Sequence, residues 1–260
     1  MTNASPTTDR RSRSAVRAAE GILSTLDDGV WRIQIHRASK RNALTMTMFR
    51  ALAESLGLAQ SNDAVRAITL SGLGPNFCAG HDLSAFDSWP QGPGDPVPCF
   101  LHALADVRKP LLIGVHGSAA GIGVTMLLHA DWVVATPDAV MKLPFVDLGI
   151  APEAGSSLLL ARAIGALRAR RLLLGGEAFT GQQAHDWGLV SELAPANELA
   201  TCLQHRARAL AAKDPKTCQR IKSLLVPAAE VRARIDEEIE LINTGVAERR
   251  ALQQLSLIHI

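Results

Sequence analysis

Apolar and polar residues alternate over residues 21–28 and again over 30–36, on either side of Asp28-Gly29. Period-two alternation around such a dipeptide predicts a β-hairpin. Apolar positions then fall at helical spacing over 45–58, and 65–71 reads as a strand. The Pro- and Gly-rich stretch 91–98 predicts a loop, with a helix running on to Val107. Residues 111–115 form a nearly continuous apolar run, which predicts a buried strand, and 121–129 predicts a helix. Two short strands, 131–135 and 139–142, are expected around a turn at Pro137-Asp138. Beyond Ala154 the pattern is mainly helical: 158–164 and 167–174, separated by Gly165, then 180–187, 199–213, 215–225 and 230–251. Only 189–193 reads as a strand in that half, and the last six residues are apolar without helical patterning.

Strands alternating with helices predict an α/β core with parallel pairing, followed by a helical C-terminal part. A chain of 260 residues, 47% hydrophobic and 20% charged, is long enough for one sizeable core with an appendage. The expected division is a flexible tail over 1–20, the core over 21–197 and a helical region over 198–260. In the opening segment Arg10, Arg11, Arg13 and Arg17 face only Asp9 and Glu20. A flexible tail is the simpler reading, and an Arg-rich, acid-poor transit peptide is the alternative. No secretory or membrane-spanning apolar run stands out, and a net charge of +2 points to no particular partner. Arg162, Arg168, Arg170 and Arg171 lack interleaved aromatics, so they read as helix-surface charges or ligand-phosphate contacts, with no nucleic acid expected as a partner and, without a spanning run, no membrane. Cys78, Cys99, Cys202 and Cys218 form no CxxC pair, which predicts reduced thiols, no metal site and a cytoplasmic location.

The candidate chemistry lies in two glycine-bearing stretches, Phe77-Cys-Ala-Gly-His-Asp82 and His116-Gly-Ser-Ala-Ala-Gly-Ile-Gly123. Each follows an apolar run and leads into a predicted helix. Glycine lets backbone approach a ligand closely, so two such loops could hold a developing oxyanion between two amides. A dinucleotide fingerprint is excluded because Met126 stands where its third glycine belongs, and no Gly-x-Ser-x-Gly elbow surrounds Ser118, Ser156 or Ser157. Asp82 and Asp131 read as structural hydrogen-bonders, Asp147 as a cap or solvent-facing acid. His116 and His129 lack metal-ligand spacing. Cys78 reads as a small buried filler.

Six segments in one order, covering residues 21–250, resemble the crotonase (enoyl-CoA hydratase/isomerase) superfamily. They are His36-Arg-Ala-Ser-Lys-Arg-Asn-Ala-Leu44, Phe77-Cys-Ala-Gly-His-Asp-Leu83, Lys109-Pro-Leu-Leu-Ile-Gly-Val-His-Gly117, Ala130-Asp-Trp-Val-Val-Ala135, Pro144-Phe-Val-Asp-Leu-Gly-Ile-Ala-Pro-Glu-Ala-Gly155 and Phe179-Thr-Gly-Gln-Gln-Ala-His-Asp-Trp-Gly-Leu-Val190. The resemblance implies a spiral of strand-strand-helix units and C-terminal helices that assemble a homotrimer or a dimer of trimers. It implies an acyl-CoA thioester as substrate, with coenzyme A part of that substrate and no separate cofactor. By position, the oxyanion amides are those of His81 and Ile122. Further substrate contacts fall to Arg41, Asn42, Ala43, Ala79, Gly80, Gly121 and Phe145. Members usually carry a last helix with a Phe-x-x-Lys-Arg-like stretch. Its lack here implies CoA phosphates held otherwise, or a truncated or foreign terminus.

The acids select among the family's reactions. Hydratases use two glutamates, and the matching positions hold Thr125 and Phe145, neither of which transfers a proton near neutral pH. Glu153 instead falls where the branch resembling peroxisomal-type Δ3,Δ2-enoyl-CoA isomerases has its single catalytic glutamate. Burial against Phe145 should raise its pKa and a helix start should lower it. Three readings follow: a 3-enoyl-CoA to 2-enoyl-CoA isomerase shuttling a proton on Glu153, a hydratase or other crotonase-type activity with Glu153 activating water, or a non-catalytic acyl-CoA-binding protein.

Overall fold

The computed structural model describes residues 14–258, without the side chains of 14–18, 86 and 250–258. Strands β1 (Ser14–Ala19), β2 (Ile22–Asp27) and β3 (Val30–Ile35) form an antiparallel meander. The predicted hairpin turns at Asp28 (φ 52°) and Gly29 (φ 75°), the left-handed pair that a two-residue type I′ turn requires. Strand β1 replaces the C-terminal end of the expected tail, because pairing with β2 supplies backbone partners that its own side-chain pattern does not announce. The rest of that tail, 1–13, lies outside the described residues.

Helix α1 (Met46–Ser61) starts where Thr45 Oγ1 accepts from the Met48 N–H, and buries Met48, Phe49, Leu52, Leu56 and Ala59 along one face. The chain continues through β4 (Ala67–Gly72), α2 (Pro96–Ala105), β5 (Leu111–Val115), β6 (Ser118–Ala120), α3 (Ile122–Thr125), β7 (Trp132–Ala135) and β8 (Val140–Lys142). Then come α4 (Phe145–Leu148), α5 (Ser156–Ile164), α6 (Ala166–Gly175), β9 (Ala178–Thr180), α7 (Gly181–Asp186) and β10 (Glu192–Leu193). Three helices close the chain: α8 (Leu199–Ala211), α9 (Pro215–Leu225) and α10 (Ala228–Ile258).

The main sheet runs β1-β2-β3-β4-β5-β7-β10, parallel from β3 onward, and a second sheet runs β6-β8-β9. All five residues of β5 are buried, as a central parallel strand covered on both faces requires. Three short elements escaped the pattern: β6, β9 and α4 span three or four residues, too few to show a period. The helix expected over 121–129 divides into α3 and a 3-10 turn over Met126–His129.

Two helices of the C-terminal region pack on opposite sides of this frame. Leu199, Leu203 and Ala207 of α8 meet Val30, Ala67, Leu112 and Val134 on one face of the main sheet. Val231, Ile235, Ile239, Ile242 and Val246 of α10 join the larger core, which also holds α1 and α2. Taking each such side chain out of water contributes about 1.5–3 kcal/mol. The apolar chain end, expected to lack helix, continues α10 as far as Ile258.

Candidate active site

The two glycine stretches meet. Cys78 pairs with Ala119 through Cys78 N–H to Ser118 O (3.2 Å) and Ala120 N–H to Cys78 O (3.0 Å). On the other side, Leu44 N–H donates to Gly80 O and Asp82 N–H to Leu44 O, both at 2.8 Å. That parallel bridge turns the His81 N–H away from Leu44. Gly80 has φ +94°, and a Cβ there would lie 2.8 Å from Ala120 O. A Cβ on Gly123 would stand 2.4 Å from Cys78 O. Only hydrogen at both positions lets the two backbones touch. Ile122 is the first residue of α3, a position where the helix itself offers no acceptor for the amide.

The turn bearing Arg41, Asn42 and Ala43 is latched to the same place, since Ala79 N–H donates to Arg41 O at 3.0 Å. Arg41 and Asn42 are both left-handed, with φ 51° and 59°. Asn42 is fully buried, and its side chain accepts from Arg37 N–H and donates to Leu73 O and Asn76 O. It therefore holds the turn, leaving exposed Arg41 as the side chain that faces solvent.

Behind the contact lies a cavity of about 120 Å³. Ala79, Gly80, His81 and Gly121 form one side. Leu83, Trp89, Ala120, Pro144, Phe145, Leu148, Ile150, Ile242 and Glu153 complete it. Arg41, Asn42, Ala43 and Ile122 are not among its walls, and the Ile122 side chain is buried in the core. Phe145, where a second acid was sought, is an apolar wall.

Glu153 is the sole carboxylate among the cavity's described residues, and it is 2% exposed. Its Oε1 accepts from Thr125 Oγ1–H at 2.7 Å, and its buried Oε2 has no hydrogen-bond partner among the described residues. Burial is the main force that pushes its pKa up to about 8. The Glu238 charge adds to the rise, and the Thr125 hydrogen bond opposes it. The expected lowering by a helix start does not prevail. Helix α5 begins three residues later, and its Gly155 and Ser157 N–H groups are taken by the carboxylate of Glu238, at 2.6 and 2.9 Å.

The remaining candidates separate cleanly. Burial lowers the His81 pKa to about 4, so its ring is neutral; it sits 4.6 Å from the Phe49 ring, centroid to centroid. Burial lifts the Cys78 thiol to about 12, which suits a filler rather than a nucleophile. Asp82 binds Arg37 and Ser84, and Asp131 accepts from Leu111 N–H and Lys222 Nζ. Asp147 pairs with Lys142. His116 and His129 donate through Nε2 to the carbonyls of Gly74 and Ala154. Arg162 and Arg171 pair with Glu230 and Glu177, while Arg168 lies over the Trp187 ring. No cluster of His, Cys, Asp or Glu among the described residues could hold a metal ion, and no described helix is long and apolar enough to cross a membrane. Glu238 went unnoticed in the sequence. Its signal was a charged residue inside the apolar stripe Val231, Ile235, Ile239, Ile242.

An α/β frame that brings two glycine turns together over one buried carboxylate defines a crotonase-fold protein. The model of the enoyl-CoA hydratase/isomerase family matches residues 25–245, and the chain belongs to that family. It is similar to the 1,2-epoxyphenylacetyl-CoA isomerase of Escherichia coli K12, 36% identical over 200 residues that make up 74% of this chain and 76% of that protein. It is 32% identical to the enoyl-CoA delta isomerase 2 of Rattus norvegicus over 80% of this chain, which spans only 54% of that longer protein. The structure of OdaA from Pseudomonas aeruginosa matches with a TM-score of 0.86 at 35% identity, covering 92% of this chain and 99% of that one.

Proposed function

We propose that this crotonase-family acyl-CoA enzyme moves the double bond of a 3-enoyl-CoA thioester to the 2-position, with Glu153 as the only proton carrier. The observation that carries this reading is the lone buried carboxylate in a cavity walled by Phe145, Leu148, Ile150 and Ile242. Glu153 Oε2 takes a proton from C2, and the C–H electron pair moves into the thioester to form a dienolate. The N–H groups of His81 and Ile122 hold the resulting oxyanion, a contribution of about 3–4 kcal/mol per donor in acyl chemistry. The protonated Glu153 returns the proton to C4 as the double bond settles between C2 and C3. Atoms and charge balance without water or a second acid. The CoA adenine lies along the backbone at Arg41, Asn42, Ala43 and Ala79, next to the two loops.

A base must be ionised to act, so kcat/KM should rise with pH through about 8, the value to which burial lifts Glu153. The test supplies 3-enoyl-CoA and 2-enoyl-CoA separately. Conjugated product from the first supports isomerisation. A 3-hydroxyacyl product from the second identifies a hydratase instead. Binding of both esters without turnover leaves a non-catalytic acyl-CoA-binding protein.

A further inference from the structure

Glu153 sits on a turn with little local support. Ala154 and Gly155 are both left-handed, at φ 61° and 68°, and no side chain of α5's own N-terminus caps it. For alanine that conformation is strained, so the turn persists only if the surroundings hold it. What holds it comes from α10. Glu238, 2% exposed, accepts from Gly155 N–H through Oε2 and from Ser157 N–H through Oε1. Arg234, one turn earlier on α10, donates to Ser157 Oγ at 3.1 Å and pairs with Glu237. From a third element, α3, fully buried Thr125 grips the Glu153 carboxylate itself.

We propose that Glu238 and Thr125 are positioning residues acting on Glu153 in opposite directions: Glu238 fixes the turn and disfavours the Glu153 anion by its own charge, and Thr125 stabilises that anion. This deepens the reading of Glu153 as proton carrier and rests on it. Two like charges brought close in a dry interior resist ionising together. Glu238 carries two main-chain N–H bonds with Arg234 nearby, against a single hydroxyl bond at Glu153. Burial raises the Glu238 pKa as well, but its main-chain bonds and Arg234 oppose that rise, so its anion is the better supported of the two. The other titratable groups around Glu153 are Cys78, His81 and His129, with Lys222 beyond His129. Burial holds the thiol protonated and both imidazoles neutral near pH 7, so none of the three competes with Glu238.

The test measures the Glu153 side-chain carboxyl by 13C NMR titration, its signal assigned by disappearance in Glu153→Gln. The same variants are followed by the pH profile of kcat/KM. Glu238→Gln should move both the titration and the acidic limb of the profile down, and Thr125→Val should move both up, each by about half a pH unit or more. Glu238→Asp keeps the charge and should restore the limb while loosening the turn. A role confined to capping α5 would lower the melting temperature of Glu238→Gln and leave the Glu153 titration where it was, which overturns the proposal. If Glu238→Gln does not fold, Thr125→Val still decides, because an unmoved titration there also overturns it. The NMR readout needs no turnover. A fully active Glu153→Gln would thus sink the reading of Glu153 as base without touching the measured coupling.

Discussion

Two buried charged side chains lie on either side of the 3-10 turn after α3, and they are treated in opposite ways. Lys222 of α9 is 8% exposed and paired: Nζ meets the Asp131 carboxylate and the Lys109 carbonyl, while Asp131 also accepts from Leu111 N–H. Glu153 is still more buried, yet among the described residues it receives one hydroxyl bond and no cation, and its buried Oε2 has no partner. The first arrangement stitches α9 to the start of β5 and β7. The second leaves a carboxylate costly to ionise, which is what a group needs if it is to take a proton and give it back near neutral pH.

Substitutions can break that contrast, beginning with the largest effect. Glu153→Gln should reduce kcat/KM for the isomerised substrate by on the order of 10²–10⁴, the usual contribution of a positioned acid-base group. Its affinity for the acyl-CoA ester, followed by calorimetry, should stay within about threefold, since a neutral isostere removes no main-chain contact.

The next effect sharpens the comparison by its sign. The folded pKa of Glu153 stands at about 8, above its ordinary 4.5. The folded state therefore holds this proton more tightly than the unfolded chain, and its stability falls as pH rises from 4.5 through 8. Glu153→Gln escapes that loss. It should be more stable than the parent by on the order of 3–5 kcal/mol at pH 9, with the difference shrinking to under about 1 kcal/mol at pH 5. Equal stability of the two proteins at pH 9 would mean that burial does not penalise the Glu153 anion. The smallest effect is at Lys222. Lys222→Met should lower unfolding free energy by only about 0.5–1.5 kcal/mol, measured by urea denaturation, because solvent-exposed Asp131 keeps its Leu111 N–H bond when the ammonium is lost. Turnover at a temperature where that variant remains folded should be close to that of the parent, since Lys222 does not line the Glu153 cavity.

Much of this was legible along the chain. The hairpin at Asp28-Gly29, helix α1, the apolar β5 and the bounds of α9 follow from period and turn chemistry. Gly80, Gly121 and Glu153, singled out in the sequence, line one cavity, and Gly123 packs against Cys78 beside it. Less legible was β1, which owes its form to a neighbouring strand edge, and so did β6 and β9, too short to carry a pattern. The direction of the Glu153 pKa was left open between burial and a helix start, and the fold resolved it by spending the start of α5 on Glu238.

The sequence by itself determined the alternation of strands and helices, the places where backbone can approach backbone, and the candidate acid Glu153. These are local properties, set by side-chain period, glycine and residue type. Only the tertiary structure decided what surrounds that acid: a hydroxyl 28 residues away on α3, a second carboxylate on α10, and apolar walls drawn from α4 and α10. A carboxyl's hold on its proton depends on the water removed and the charges brought near, and both are supplied by atoms distant in sequence.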